Sequence, residues 1–338
     1  MKDIELPRKV VTGDGAIDRI PDLADDLRLW GDSIVISDAT TKDIAGDKVK
    51  EYLKSPLLYT IEGPGDEEVE NILQEVKKST SVKYLAGVGG GKIIDITKVV
   101  ALKAKLPFLS IPTAASHDGI ASPQASIKGK VPTSVKAHCP IGVVADTAII
   151  RQAPPRLNAA GCADAISNYT AVLDWKLASK ERGEYYGDYA SVLAMLSAEI
   201  VIHHADEIKN DISILVESLI SSGVAIGIAG SSRPCSGSEH NFSHALDLIC
   251  PSPALHGEQC GVGSIMMAHL HGAEWKTIRD ALKKVGAPTT AKGLGIEDGY
   301  IIEALMKAHN IRDRYTILRD GLSKEKATEL AKATSVIE

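Results

Sequence analysis

The sequence predicts an α/β domain with a parallel, Rossmann-like sheet, followed by an all-helical domain. Before Pro154, short apolar runs alternate with helix-like stretches, which is the pattern of repeated βα units. After Pro155, apolar residues recur at the 3.6-residue period of helices. At roughly 100–200 residues per domain, 338 residues are enough for two domains. We therefore expect domains at residues 1–153 and 154–338, with the ligands in a cleft between them.

The individual elements follow from the same patterns. The segment Gln124–Asp146, which contains a Lys-Gly-Lys turn, predicts a hairpin followed by one more strand. The earlier predicted strands are Ser33–Ser37, Leu57–Ile61, Tyr84–Val88 and Phe108–Ile111. The predicted helices include Glu67–Lys78 and Ile93–Lys103 in the first half, and Tyr189–His203 and Ile212–Ala229 in the second.

Composition and charge exclude several classes of protein. The 38 Lys and Arg against 44 Asp and Glu give a net charge of −6, which argues against nucleic acid or an anionic membrane as the main partner. No secretory signal and no apolar run long enough to span a membrane is present, so we expect a cytoplasmic protein. The 5 cysteines include no C-x-x-C pair, which predicts free, mostly packed thiols rather than disulfides or a cysteine zinc cluster.

Two loops of small residues follow predicted strands. In the first, GVGGGK at Gly87–Lys92, glycines let backbone N–H groups approach a phosphate at the positive end of the next helix. The loop matches neither the Walker A pattern nor the usual Rossmann fingerprint, and its alternative role is a turn without a ligand. The second, SIPTAASHDGIAS at Ser110–Ser122, should face the same ligand, because the carboxyl ends of neighbouring parallel strands form one crevice.

Two acidic residues near these loops have two interpretations each. Asp38 follows the first predicted strand, where a carboxylate could accept hydrogen bonds from an adenosine ribose, but it could equally be a helix N-cap. Asp118 could hold a substrate hydroxyl, whereas the alternative for His117 and Asp118 is a solvated turn. The residues alone leave both choices open.

A third group of residues predicts a metal site in the helical half. Asp164 lies on a predicted helix, His240 and His244 are one turn apart on another, and His256 stands beside a helix start. One carboxylate with two or three imidazoles from separate elements is typical of a catalytic metal site with an open position. Each histidine alone could be a packed or surface residue, and the spacing does not decide which two of the three bind the ion.

The order of these motifs, GGGK, PTAASHDG, a helical Asp, H-x-x-x-H and HGE, resembles the superfamily of dehydroquinate synthase, glycerol dehydrogenase and iron-type alcohol dehydrogenases. Within it, the stretches TAASHDGIASPQASI, SSRPCSGSEHNFSHALD and LHGEQCGVG resemble the archaeal sn-glycerol-1-phosphate dehydrogenase family. The resemblance implies a dehydroquinate synthase-like fold and a cytoplasmic enzyme with one Zn²⁺ per subunit. It implies hydride transfer from C4 of NADH or NADPH to C2 of dihydroxyacetone phosphate, giving sn-glycerol 1-phosphate for archaeal ether phospholipids. We also expect a homo-oligomer.

The same resemblance assigns roles to particular residues. It implies that Asp164, His240 and His256 hold zinc, and that Asp118, Asp164 and His244 contact the substrate and take part in catalysis. A metalloprotease-like use of both histidines of H-x-x-x-H would need Glu directly after the first, where Asn241 stands. The implied cofactor-binding residues are Gly91, Lys92, Ile93, Ile94, Asp95, Thr113, Ala114, Ala115, Ser116 and Ser122.

Three alternatives remain at this stage. A glycerol dehydrogenase, or a lyase like dehydroquinate synthase, would use the same NAD and zinc, whereas a non-catalytic NAD-binding regulator would need no metal. No compact basic motif identifies the residues that bind a substrate phosphate. The candidates, each with an ordinary surface or hairpin role as its alternative, are Lys128, Lys136, His138 and Arg233.

Overall fold

The computed structural model describes residues 4–63, 65–127 and 133–338 of the chain. The chain divides into two compact units, Met1–Asn158 and Ala159–Glu338. The boundary falls a few residues after the predicted one, because Asn158 belongs to the first unit: its side chain donates to the carbonyl of Ile150 and accepts from the backbone N–H of Ala115. The predicted Lys-Gly-Lys turn lies outside the described residues.

The first unit contains a six-stranded parallel sheet in the order β1-β8-β5-β4-β2-β3, and a separate antiparallel hairpin of β6 and β7. The four predicted early strands, the hairpin and the strand after it are confirmed. The strands are β1 Lys9–Gly13, β2 Asp32–Asp38, β3 Leu57–Ile61, β4 Val82–Gly89, β5 Phe108–Pro112, β6 Gln124–Ile127, β7 Thr133–Lys136 and β8 Gly142–Asp146.

Strand β1 was not expected from the sequence. Its five residues alternate between exposed and half-buried positions, so they form no apolar run. The strand lies at the edge of the six-stranded sheet and pairs with β8, with Lys9 opposite Gly142 and Gly13 opposite Asp146. Its formation depends on a partner far away in sequence, which local patterns cannot reveal.

Helices pack against the sheet of the first unit through two apolar clusters. One cluster contains Ile72 and Phe108, and the other contains Ile20 and Leu109. The two predicted helices of this half are confirmed as α4 and α5. Short helical turns at Ala16–Arg19, Lys42–Gly46 and Asp118–Ile120 complete this unit. Its helices are α1 Ile20–Asp26, α2 Ala39–Thr41, α3 Asp47–Tyr52, α4 Gly65–Lys78, α5 Gly91–Ala104 and α6 Thr147–Arg151.

The second unit is all-helical in the residues that the structure describes, as predicted, apart from turns and loops. Helix α7 begins at Pro155, at the predicted change of pattern, and continues into this unit. No helix in the described part of the chain is long and apolar enough to cross a membrane. The helices are α7 Pro155–Arg182, α8 Asp188–His203, α9 Ser213–Ala229, α10 Ser238–Ile249, α11 His256–Leu270, α12 Trp275–Val285, α13 Ala291–Leu294, α14 Asp298–Lys307 and α15 Lys324–Ala333.

Candidate functional site

The two small-residue loops lie side by side at the carboxyl edge of the sheet. Strands β4 and β5 are paired, with Gly89 opposite Pro112, and the N–H of Thr113 donates to the carbonyl of Gly89. The neighbouring strand β2 ends at Asp38 on the other side of β4. In an open α/β sheet, this edge is where ligands bind at the point where strand order reverses.

The first loop offers the uncapped start of a helix. Gly90 is the N-cap of α5, and no side chain caps that end. Backbone N–H groups of a first turn have no partner within the helix, and the helix dipole makes this end attractive to an anion. The loop can therefore hold a phosphate through its backbone, while the exposed Lys92 adds a positive charge nearby.

Close packing explains two of the glycines. A Cβ on Gly91 would meet Nε2 of His117 at 1.8 Å, and a Cβ on Gly119 would meet Cε1 of the same ring at 2.0 Å. The His117 ring also accepts a hydrogen bond from the Gly119 N–H at 2.8 Å. The half-buried imidazole therefore lies between two glycines and is not part of a fully solvated turn.

Most of the predicted cofactor-binding residues have side chains that are buried or hydrogen-bonded within the protein. Ile93 and Ile94 are buried in the core, and the carboxylate of Asp95 accepts from buried Lys98 at 3.2 Å and from the N–H of Ser126 at 3.0 Å. These residues can offer a cofactor mainly backbone groups. In the second loop, buried side chains are found at Thr113, Ala114, Ala115 and Ser122, whereas Ser116 is half-buried.

The two acidic residues with open interpretations have different surroundings. Asp38 caps α2, because its carboxylate accepts from the N–H of Thr41 at 2.7 Å. This contact corresponds to the N-cap interpretation, and the ribose contact stays a prediction. Burial raises the pKa of Asp118 above its ordinary value, and neighbouring Asp95 raises it further while His117 and Lys98 oppose the rise.

In the second unit, three elements bring the predicted metal ligands together. Asp164 on α7 has its Oδ1 3.9 Å from Nε2 of His240 on α10, and 4.0 Å from Nε2 of His256 at the start of α11. Zinc binds nitrogen and oxygen at about 2.0–2.2 Å, so two ligands of one ion lie no more than about 4.4 Å apart. These two separations are compatible with a single ion.

The outer ring nitrogens of both histidines have their own partners. Nδ1 of His240 lies 2.9 Å from Oε1 of Glu239, and Nδ1 of His256 lies 3.0 Å from Oγ of Ser243. Such contacts orient an imidazole and leave its other nitrogen for an ion, which is the usual arrangement around metal-binding histidines. Burial, followed by the charges of His244 and two arginines, lowers the pKa of His240 well below its ordinary value and keeps the ring neutral, as a ligand must be. The donor set therefore fits a divalent metal.

Glu239 and Cys260 are neighbours of this cluster that the sequence did not single out. Burial and the nearby Asp174 raise the pKa of Glu239 to about 7. The Cys260 thiol lies 3.6 Å from Nε2 of His256 and within reach of the same ion, although burial and the surrounding carboxylates raise its pKa well above the ordinary value. All five cysteines are buried, and none of them forms a disulfide in the part of the chain that the structure describes.

His244 has different contacts from the other two histidines. A guanidinium nitrogen of Arg312 lies 2.6 Å from its Nε2, and Asp247 lies 3.9 Å from its Nδ1. A second group of possible ligand atoms joins His244 to Asp247 and His256, so geometry alone keeps a metal role open for it. Its assignment to the substrate stays a prediction.

A pocket of about 640 Å³ opens beside Arg312. The phosphate candidates taken from the sequence have other partners: His138 lies 3.0 Å from Glu5, and Arg233 forms a double contact with Glu184. Lys136 is exposed on β7, and Lys128 lies outside the described residues. The pair Arg312 and Arg314 was missed, although the sequence RDR could have indicated two cations in one loop.

Comparisons with known proteins agree with this fold. The family model described as "Iron-containing alcohol dehydrogenase" matches residues 11–154. A glycerol dehydrogenase from Schizosaccharomyces pombe has a TM-score of 0.82 at 18% identity, covering 99% of this chain and 90% of that one. A probable glycerol dehydrogenase from Sinorhizobium meliloti has a TM-score of 0.80 at 20% identity and covers 100% of both chains. The structural likeness shows that the chain has the fold of these dehydrogenases, and residues 11–154 match the iron-containing alcohol dehydrogenase family.

Sequence relatives narrow this class. A protein of Methanosarcina acetivorans named "Glycerol-1-phosphate dehydrogenase [NAD(P)+]" is 52% identical, over 99% of this chain and 97% of its own. Proteins of the same name from Methanothermobacter thermautotrophicus and Pyrococcus horikoshii are 52% and 50% identical, over 99% of both chains. The chain belongs to the glycerol-1-phosphate dehydrogenase family.

Proposed function

We propose that this protein reduces dihydroxyacetone phosphate to sn-glycerol 1-phosphate with NADH or NADPH. The observation that carries the proposal is the cluster of Asp164, His240 and His256, whose ring nitrogens Nε2 point to one carboxylate oxygen while the Nδ1 atoms are held elsewhere. The cluster occurs in a chain about half of whose residues are identical to those of proteins named for this activity, which favours it over a glycerol dehydrogenase or a lyase.

We propose Zn²⁺, one per subunit, as the metal of this cluster. One carboxylate and two imidazoles with an open position are typical of catalytic zinc. When bound, the ion supplies a Lewis acid that polarises a carbonyl oxygen and stabilises negative charge on it. Asp164, His240 and His256 would bind the ion, while Glu239 and Ser243 hold the two rings in place.

The remaining roles belong to side chains of both units. Asp164 and His244 would contact the substrate, and His244, or a water molecule that it orients, would supply the proton to the new hydroxyl. Asp118 would hold a substrate hydroxyl. The uncapped start of α5 would bind the cofactor phosphates through backbone N–H groups, which favours a loop made of glycines.

Location and assembly are also proposals. The net charge of −6 and the lack of a membrane-spanning helix in the described residues are compatible with a cytoplasmic enzyme. Large apolar side chains are exposed at a helical spacing on α8, at Tyr189, Val192 and Leu196, and they support self-association. Light scattering of the purified protein measures the oligomeric state directly.

An assay of NADH oxidation tests the function. Dihydroxyacetone phosphate, dihydroxyacetone and a dehydroquinate precursor are compared side by side, and the product of the first is assigned by chiral analysis. Steady NADH consumption with dihydroxyacetone phosphate, giving the sn-1 enantiomer, is the expected result. A lyase would recycle its bound NAD and consume none, and a regulator would show neither turnover nor stoichiometric metal. Either outcome would reject the proposal.

A further inference from the structure

The pocket beside Arg312 carries an excess of positive charge. Five arginines line it, Arg182, Arg233, Arg312, Arg314 and Arg319, against the carboxylates of Glu184 and Asp313. This balance contrasts with the whole chain, whose net charge is −6. A concave surface with a concentration of one charge attracts ligands of the opposite charge.

Three of these arginines are already in use. Arg233 forms a double contact with Glu184, and Arg319 lies 2.9 Å from Glu181. Arg182 stacks on the ring of Tyr315, with its Cζ 4.5 Å from the ring centroid. The charges of Arg233 and Arg319 are therefore compensated without a ligand, and that of Arg182 is stabilised by an aromatic ring.

Arg312 and Arg314 differ, since neither forms a salt bridge with a carboxylate in the part of the chain that the structure describes. Arg312 donates to Ser236 Oγ at 3.0 Å and to Nε2 of His244 at 2.6 Å. Arg314 donates to Ser232 Oγ at 2.9 Å and to the carbonyl of Ser236. Neutral oxygens and an imidazole hold the two guanidinium groups. No carboxylate among the described residues forms a salt bridge with either group, although the charge of Glu239 favours the charged form of both.

This arrangement is costly without a ligand. Burial lowers the pKa of Arg312 and lowers that of Arg314 to about 10, and Arg312 and Arg233 add repulsion to Arg314. Two partly buried like charges without a carboxylate in direct contact are costly, and a bound anion would stabilise them. Arginine forks match the oxygens of a phosphate in pairs, which a carbonyl or hydroxyl group cannot do.

The place of Arg312 identifies the anion. Its partner His244 lies next to the metal cluster, with its ring centroid 5.6 Å from that of His256 and 6.5 Å from that of His240. In dihydroxyacetone phosphate, only one carbon and one oxygen separate the carbonyl carbon from phosphorus. An ester phosphate on a substrate whose carbonyl is at the cluster must therefore bind close by.

We propose that Arg312 and Arg314 form the phosphate-binding site for the substrate and so determine its preference for a phosphorylated ketone. The inference rests on the proposed function, which names that substrate. Ser236 holds Arg312 through its hydroxyl and Arg314 through its carbonyl, and thereby sets the spacing of the two groups.

The test compares kcat/KM for dihydroxyacetone phosphate with kcat/KM for dihydroxyacetone in the metal-loaded enzyme. Arg312→Gln and Arg314→Gln should each lower the ratio of the two about 10- to 100-fold, because hydrogen bonds to a charged group are lost only with the phosphorylated substrate. Competitive inhibition by inorganic phosphate should weaken in the same variants. Arg319→Gln, in the same pocket but paired with Glu181, is the matched control and should leave the ratio unchanged.

Each outcome decides the matter. An unchanged ratio in both variants, or equal losses for both substrates, overturns the assignment, as does a change only in the preference between NADPH and NADH. If Arg312→Gln does not fold, the same ratio is measured in Arg312→Lys, together with the inhibition of the wild type by inorganic phosphate. Absence of that inhibition overturns the assignment. Failure of the wild type to reduce dihydroxyacetone phosphate would instead reject the proposed function.

Discussion

The proposed cofactor loop of the first unit and the proposed metal cluster of the second unit are built in opposite ways. The loop site uses backbone groups of short contiguous segments, and side chains such as Asp95 are turned to internal contacts. The metal cluster uses side chains from α7, α10 and α11, held by further side chains such as Glu239 and Ser243. A backbone site depends on which residues are small, whereas a side-chain site depends on which residues carry donors.

This difference predicts different responses to substitution. Removal of a donor from the metal cluster should affect metal and turnover but leave cofactor binding intact. Added bulk in the loop site should affect the cofactor and leave the metal in place. A substitution that lowers metal content and cofactor affinity equally would show that the two sites are not independent.

The largest effect is expected for His256→Ala. The substitution removes one of the three proposed protein ligands, so the content of the proposed zinc should fall strongly. Loss of several kcal/mol of charge stabilisation corresponds to several decades in kcat, at about 1.36 kcal/mol per decade. Elemental analysis measures zinc content, steady-state kinetics measures kcat, and fluorescence titration measures NADH affinity. The NADH affinity should stay within about twofold of wild type.

His203→Ala is the matched control, because His203 lies on α8 with its ring nitrogen 2.7 Å from the carbonyl of Glu199, outside the cluster. The control should retain both zinc and activity. Full activity with bound zinc in His256→Ala would remove His256 from the ligand set.

His240→Ala and His244→Ala should separate two roles on one helix. Residues four apart lie on the same face of α10, and the Nε2 of His240 lies 3.9 Å from Oδ1 of Asp164. The Nε2 of His244 instead lies 2.6 Å from Arg312. His240→Ala should lose zinc. His244→Ala should keep it and raise KM or lower kcat by about 10- to 100-fold, as expected for a hydrogen bond to a charged or reacting group worth about 1.5–3 kcal/mol. Zinc loss in His244→Ala only would reverse the assignment.

A smaller effect, on the cofactor, is expected for Gly91→Ala. The new Cβ would collide with the His117 ring, which Gly119 confines on its other side. We expect about tenfold weaker NADH binding, or about 1.4 kcal/mol, at unchanged zinc content. Gly90→Ala is the control in the same loop, since a Cβ there meets nothing within 4 Å and the φ of −74° suits alanine. Equal losses in both variants would contradict a role for the close contact.

The smallest effect is expected for Asp118→Asn, and it is a change in the free energy of unfolding that depends on pH. Because burial raises the pKa of Asp118 in the folded state, its contribution to stability is present at low pH and is lost as pH rises through that pKa. The variant should therefore have a higher free energy of unfolding than wild type at about pH 8, and a similar free energy of unfolding at about pH 4. Urea unfolding at both pH values measures this, and a variant less stable at the higher pH would contradict the sign.

Much of the structure could be predicted from local sequence patterns. The apolar runs of β2 to β5 and the 3.6-residue periods of α8 and α9 each belong to one contiguous segment, so their type follows from residues close in sequence. The motif order identified the family for the same reason. Edge strand β1 could not be recognised, because its pairing with β8 depends on contacts between distant segments.

The sequence by itself determined the two-part architecture, the glycine loop and the candidates Asp164, His240, His244 and His256. Only the tertiary structure decided what surrounds them: that Glu239 and Ser243 hold two of the rings, that the Cys260 thiol lies beside His256, and that Arg312 meets His244. The physical reason is distance along the chain. Helix periodicity fixes which residues share a face within one element, but contacts between residues 68 positions apart, as for Arg312 and His244, exist only once the helices have packed.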